Sequence, residues 1–259
     1  MMDRNIGAQF YTIRDYLKTP EDFDFACKRV AEIGYKTVQI SGSPLDAKVM
    51  KPILDNYGLK VVTTHKGYTD FKENLEEVIE YNQILGCDLC GLGAAWDDNM
   101  RNADAAKEFV EFVNKVCYTL KKENMYFGYH NHSKEFVRIG DKTFWEILTE
   151  GTDTETCNFI VDTFWVQVGG KNPAEEIRKL GKRAMAVHFK DFAVNLEDMR
   201  TPQICEVGSG NLDWNGIIDA CDQAGTRFAL VEQDSDWATG NPLESLEQSY
   251  KFLKTKGFN

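Results

Sequence analysis

Met125-Tyr126-Phe127-Gly128-Tyr129-His130-Asn131-His132 runs from an apolar beginning into a polar end. As a strand it points residues two apart to one face. His130 and His132 then project together from its C-terminal end. The chain has four histidines in all, and half of them fall within these three positions. Moving outward, the same form recurs. Phe159-Ile160-Val161-Asp162, Met185-Ala186-Val187-His188 and Ala229-Leu230-Val231-Glu232 follow it, and strands read over Ile6–Tyr11, Thr37–Ile40, Lys60–His65 and Cys87–Gly93 precede it. The fifth strand is read over Met125–His132, the sixth over Asn158–Phe164, the seventh over Ala184–Phe189 and the eighth over Phe228–Glu232.

Amphipathic segments separate these runs, several with legible ends. Thr19-Pro20-Glu21-Asp22 starts a helix, with Thr19 as N-cap and Pro20 at the first helical position, and Ile33-Gly34 closes it with a left-handed glycine. Ser43-Pro44-Leu45-Asp46 repeats that start for a helix closing at Tyr57-Gly58. Further helices are expected from about Asp70 to Leu85, from Ala103 to Glu123, after Asp141-Lys142-Thr143, from Asn172-Pro173 to Leu180, from Trp214 to Gly225 and from Pro242 to about Lys254. Eight strand-then-helix units with near-continuous apolar strands predict an α/β fold, a (β/α)8 TIM barrel, as a single domain over residues 1–259. A doubly wound open sheet is the alternative, but no G-x-G-x-x-G follows the first strand.

Composition narrows the function classes. A net charge of -11 disfavours a nucleic-acid partner. No segment is long and apolar enough for a signal peptide or a membrane span, so no membrane association and a cytoplasmic location are expected. Seven cysteines, an odd number, fit reduced thiols. Cys87-Asp88-Leu89-Cys90 matches C-x-x-C, but on a strand its two thiols face opposite ways and no second pair completes a zinc site, so both read as core.

A barrel of this kind assembles its site from strand C-termini and the loops that follow them. Polar residues there are Gln9, His65, His130, His132, Asp162, His188, Lys190, Asp191 and Glu232, which include all four histidines. His130, Asp162, His188 and Glu232 follow similar lead-ins on four consecutive strands, aiming two imidazoles and two carboxylates at one point. One such residue alone is more often a hydrogen-bonded core group, but four at matched positions point to a divalent ion, with donors suited to Mn²⁺, Zn²⁺, Co²⁺ or Fe²⁺. Trp165 reads as a pocket wall that stacks on a sugar or as core; Lys190 balances an oxyanion or pairs with Asp191. Glu135 is a site carboxylate or an exposed loop residue. Glu206, opening Glu206-Val207-Gly208-Ser209-Gly210, approaches a ligand or belongs to a flexible connection.

Over its full length the chain resembles the xylose-isomerase-like TIM-barrel superfamily of sugar isomerases and epimerases. The resemblance lies in Gly7-Ala8-Gln9-Phe10-Tyr11-Thr12-Ile13-Arg14-Asp15, Tyr129-His130-Asn131-His132, Val161-Asp162-Thr163, His188-Phe189-Lys190-Asp191, Gly208-Ser209-Gly210-Asn211-Leu212-Asp213-Trp214 and Val231-Glu232. It implies a divalent ion, often Mn²⁺, with Asp162, His188 and Glu232 among its ligands. The epimerases carry a glutamate where this chain offers His130, or Tyr129 if the register slips by one. The Tyr-His-Asn-His pattern is closer to a branch whose relatives act on keto-sugars and keto-glycosides, including lyases and dehydratases.

The function expected first is a metal-dependent sugar isomerase or epimerase working through an enediolate. Glu232, His132 or Glu135 would move the proton, and Gln9, His65, Trp165 and Lys190 would bind the sugar. The alternative is a metal-dependent lyase or dehydratase on a keto-sugar, 3-keto-glycoside or inosose, which shares the enediolate. Two remoter readings are a non-catalytic sugar-binding barrel and an endonuclease-IV-like repair enzyme; the latter needs more histidines and a basic surface. A homo-oligomer is in keeping with the superfamily.

Overall fold

The computed structural model describes residues 2–259. Eight parallel strands close into a barrel: β1 (Ile6–Gln9), β2 (Thr37–Ile40), β3 (Lys60–Lys66), β4 (Leu89–Leu92), β5 (Tyr126–His130), β6 (Cys157–Asp162), β7 (Ala184–Phe189) and β8 (Phe228–Val231). Each strand pairs with its neighbours in sequence, and β8 pairs back onto β1. Around them lie α1 (Pro20–Ile33), α2 (Ala47–Asn56), α3 (Tyr68–Glu73), α4 (Leu75–Leu85), α5 (Ala103–Lys122), α6 (Phe144–Gly151), α7 (Thr163–Val168), α8 (Pro173–Leu180), α9 (Trp214–Ala224) and α10 (Pro242–Thr255). The (β/α)8 architecture is therefore the one read from the alternation. Among the described residues, no helix is long and apolar enough to cross a membrane.

Helix starts follow from side chains that satisfy the first free N–H groups. Thr19, Asn102, Asn172, Asp213 and Asn241 each accept a hydrogen bond from the first turn of the helix they precede. Thr143 and Glu146 cap α6 reciprocally, each side chain accepting from the other's backbone N–H. Gly34 ends α1 with φ 124°, a conformation costly to other residues.

Several boundaries differ from the expectation. Asp46, not Ser43, caps α2, accepting from Lys48 N at 2.7 Å. The Ser43 hydroxyl instead donates to the Leu17 carbonyl. The helix expected over 70–85 is two helices, broken at Asn74, whose φ of -134° lies outside the helical well. Cys87 precedes β4, because its N–H donates to the Asn82 carbonyl and completes the last turn of α4. The fifth strand ends at His130, so His132 lies on the following loop. The sixth ends at Asp162, whose side chain caps α7 and places Thr163, Phe164 and Trp165 on a helix. The loop after β7 also contains an unexpected antiparallel ribbon, Asp191–Ala193 against Gln203–Cys205.

Two apolar regions hold the fold. The larger lies between strands and helices and contains Phe10, Phe23, Phe127, Trp145, Phe159 and Phe189, each almost wholly buried. The smaller fills the inside of the barrel: Val62, Leu89, Ile160, Met185, Ala186 and Leu230. Ile160, Ala186 and Leu230 each stand two residues before a polar residue at the C-terminal end, namely Asp162, His188 and Glu232, so the interior is hydrocarbon beneath that end and polar at it. All seven cysteines are free and buried.

Candidate metal centre and active site

His130 closes β5, Asp162 closes β6, His188 is one residue short of the end of β7, and Glu232 follows β8 directly. Register sets them side by side: Asp162 pairs with His188 across β6 and β7, and Leu230, two before Glu232, pairs with His188 across β7 and β8. One donor atom from each of the four residues lies within 4.8 Å of the other three. All four side chains are buried.

In His130, Asp162 and His188 one polar atom of the side chain is engaged outside the cluster and the other is turned into it. His130 Nδ1 donates to the Gly93 carbonyl at 3.0 Å, which leaves the Nε2 lone pair facing Asp162 Oδ2 at 3.6 Å. His188 Nε2 donates to Gln39 Oε1 at 2.7 Å, turning Nδ1 toward Glu232 Oε2 at 2.7 Å and Asp162 Oδ2 at 3.9 Å. Asp162 Oδ1 accepts from Trp165 N at 2.9 Å and Oδ2 stays free. His130 Nε2, Asp162 Oδ2, His188 Nδ1 and Glu232 Oε2 are all buried and face one another, and only a proton on His188 Nδ1, shared with Glu232 Oε2, and the Lys190 ammonium at 3.5 Å offer them polar partners. Buried polar atoms with too few partners are costly, and four that converge fit a bound cation. The local field agrees. Burial alone pushes His188 down, yet the facing Glu232 and Asp162 carboxylates hold it up at about 9, so the cluster favours positive charge at that point. Two imidazoles and two carboxylates could hold a divalent ion, and each imidazole is oriented through its other nitrogen as metal-binding histidines usually are.

Around this cluster stand the other residues picked from the sequence. The His65 ring lies 4.7 Å from that of His130 and 5.4 Å from that of His188, with Nε2 unpaired. Room for it comes from Gly91, where a Cβ would stand 2.8 Å from the His65 ring and 2.2 Å from the Thr64 carbonyl oxygen. The His132 ring is 4.8 Å from that of His130 and 5.5 Å from that of Trp165, and its Nδ1 is unpaired. Burial, and then the neighbouring His130, push His132 down to about 3. Gln9 is buried; its Oε1 accepts from Tyr11 N, and its Nε2 is unpaired. Trp165 lines the same space with its indole N–H unpaired.

Lys190 is buried and pairs with Asp234 at 2.5 Å, not with Asp191, and its Nζ lies 3.5 Å from both Asp162 Oδ2 and Glu232 Oε2. Asp191 is engaged elsewhere and accepts from the N–H groups of Phe192, Gly208, Gly210 and Leu212 and from the Trp214 indole. That explains why the glycine-rich loop is firmly held. Glu206 Oε1 accepts from Ser245 Oγ and Ala238 N. Glu135 is wholly buried rather than exposed, with one oxygen on Tyr129 and the other on the His132 backbone.

Gln39, Gly93, Asn131 and Asp234 also reach the site, outside the set of residues that the sequence singles out. Asn131 Oδ1 accepts from Asp162 N at 3.0 Å. Gln39 had a usable signal, since it stands near the end of β2 after an apolar lead-in, as Gln9 does on β1. Gly93 acts through its carbonyl, which residue type does not reveal.

Residues 27–256 match the family model described as xylose isomerase-like TIM barrel. Among curated proteins, the chain is 22% identical over 268 residues to an inosose dehydratase of Clostridium perfringens, covering 90% of each. Among solved structures, a sugar phosphate isomerase/epimerase from Parabacteroides distasonis superposes with TM-score 0.78 at 23% identity, over 95% of this chain and 92% of that one. A protein described as the probable 3-DHS dehydratase of petrobactin synthesis in Bacillus anthracis superposes with TM-score 0.75 at 15% identity, over 96% and 98%.

Proposed function

The chain belongs to the xylose isomerase-like TIM-barrel family, and from that premise we propose that it is a divalent-metal-dependent carbon–oxygen lyase. Its reaction removes the proton beside the carbonyl of a polyhydroxylated ketone and then expels water or another β-oxygen group. The observation that carries the reading is the convergence of four buried donor atoms from His130, Asp162, His188 and Glu232, beside His132, whose Nδ1 is unpaired. A bound divalent ion, for which we assign Mn²⁺ ahead of Zn²⁺, Co²⁺ or Fe²⁺, supplies the Lewis acidity that makes the C–H next to a carbonyl removable. His132 is assigned to take the proton, and Lys190 to hold the oxygen on which negative charge develops. Gln9, His65 and Trp165 are assigned to the substrate's hydroxyls and ring.

Two points favour elimination over the isomerase or epimerase expected first. A two-carboxylate epimerase mechanism needs an acid/base pair on opposite sides of one carbon, but the fifth strand offers His130, and Glu135 is committed to Tyr129 and His132. The curated relatives are dehydratases, which points to an inosose or related cyclic keto-sugar as substrate. Isomerisation or epimerisation remains the second reading, because His65, with Nε2 unpaired, stands beside the same cluster as a second imidazole that could serve in proton return. On either reading the partner is a small molecule, not nucleic acid, and the free, buried thiols suit a cytoplasmic enzyme.

The test is metal analysis of the purified protein, then proton NMR in D₂O with an inosose and a panel of ketoses. Loss of water with deuterium uptake is the expected result. Exchange or epimer formation without elimination would replace it with the second reading. Turnover undiminished after thorough chelation would overturn both.

A further inference from the structure

Glu135 sits on the short turn Lys134–Phe136 after β5, in the middle of a hydrogen-bonded chain. Its Oε1 accepts from the Tyr129 hydroxyl at 2.7 Å, and that hydroxyl accepts from Ala95 N at 3.2 Å. Its Oε2 accepts from the His132 backbone N–H at 2.7 Å. Ala95 lies two residues beyond Gly93, the carbonyl that fixes the His130 ring. The next-door Lys134 ammonium donates to the Ala95 carbonyl at 2.8 Å, so the same turn grips that loop twice.

We propose that Glu135 is a positioning residue for two histidines at once: directly for His132, and through Tyr129 and the loop after β4 for the ligand His130. A fully buried carboxylate is expensive to desolvate. A tightly packed apolar side chain would close the same turn without that cost, so the carboxylate is accounted for by what it holds. Neither oxygen is free to take a proton from substrate. The two bonds also run in different directions, so one group fixes the spacing between a loop that orients a ligand and the residue that faces the substrate.

The inference rests on the assignment of His130 and His132 made above, and its test separates the two. Three variants, Glu135→Ala, Glu135→Gln and Tyr129→Phe, are compared with the parent by circular dichroism, by calorimetric Mn²⁺ binding, by the visible spectrum of the Co²⁺ form and by ¹⁵N-resolved imidazole signals of the metal-free protein. Glu135→Ala should weaken Mn²⁺ binding about 10- to 100-fold, as loss of a ligand-orienting partner typically does. It should also alter the Co²⁺ spectrum, shift the His130 and His132 signals, and lower kcat more than it raises KM. Glu135→Gln can still accept from His132 N–H through its amide oxygen but loses the acceptor for the Tyr129 proton. It should therefore match Tyr129→Phe, with His132 kept in place and the His130 signal shifted.

A folded Glu135→Ala protein with parental metal affinity, spectrum and imidazole signals, merely less stable, would overturn the proposal. So would a Glu135→Gln protein that binds metal normally, keeps both imidazole signals and has no turnover, since that marks a proton-transfer group. A parent protein that binds no divalent ion would sink the site assignment alone, and the imidazole comparison would still decide whether Glu135 positions the two rings.

Discussion

Strands β5 to β8 supply the four candidate ligands, one each, whereas β1 to β4 supply none. That first half instead holds two of the candidate ligands still: Gln39 on β2 receives the His188 N–H, and Gly93 just after β4 receives that of His130. The difference teaches where a metal centre's accuracy comes from. Donor identity belongs to one side of the barrel mouth, and the choice of which nitrogen is bare belongs to the other. The two halves should accordingly fail in different ways.

Asp162→Ala or His188→Ala removes a donor outright and should abolish both stoichiometric metal content and turnover, as read by elemental analysis and rate assay. Next in size is the ion's own effect. Metal that binds only the folded state at about 100 times its Kd should stabilise the protein by about 2.7 kcal/mol. Thermal melts with and without chelator check the gain, and hydrogen exchange should place it at the ends of β5 to β8. Gln39→Ala leaves all four donors in place but frees the His188 ring, so calorimetry should find binding about 10- to 100-fold weaker, not lost. If it abolished binding, the division between donor half and orienting half would be false. The smallest effect belongs to Asp88→Ala at the far end of the barrel. It breaks a half-exposed ion pair with Arg227 at 3.0 Å, and denaturant melts should record a loss of at most about 1 kcal/mol with metal affinity unchanged.

The same division marks how far the sequence could be read. Strand count and order were legible because each strand is a short apolar run bounded by helix-capping residues such as Thr19-Pro20 and Asn172-Pro173. The donor set was legible because histidines and carboxylates stand out at the ends of such runs. What failed were local competitions. Ser43 and Asp46 are both reasonable caps, and only tertiary contact with Leu17 shows which is free. His132 was placed on a strand because alternation has no signal for where pairing stops. Glu135 was read between a site carboxylate and an exposed loop residue, because nothing local reports that Tyr129 and the His132 N–H close over it. Gln39 and Gly93 went unseen because an amide or a carbonyl acquires its role only from the ring opposite.

One end of the barrel's interior is filled by Val62, Leu89, Ile160, Met185, Ala186 and Leu230. A molecule that reaches the four donors is therefore barred from passing on through the barrel. Whatever carbon skeleton is formed must go out by the route its precursor used, and the chamber cannot reload until it has. For the proposed reaction this predicts inhibition by product, competitive with substrate.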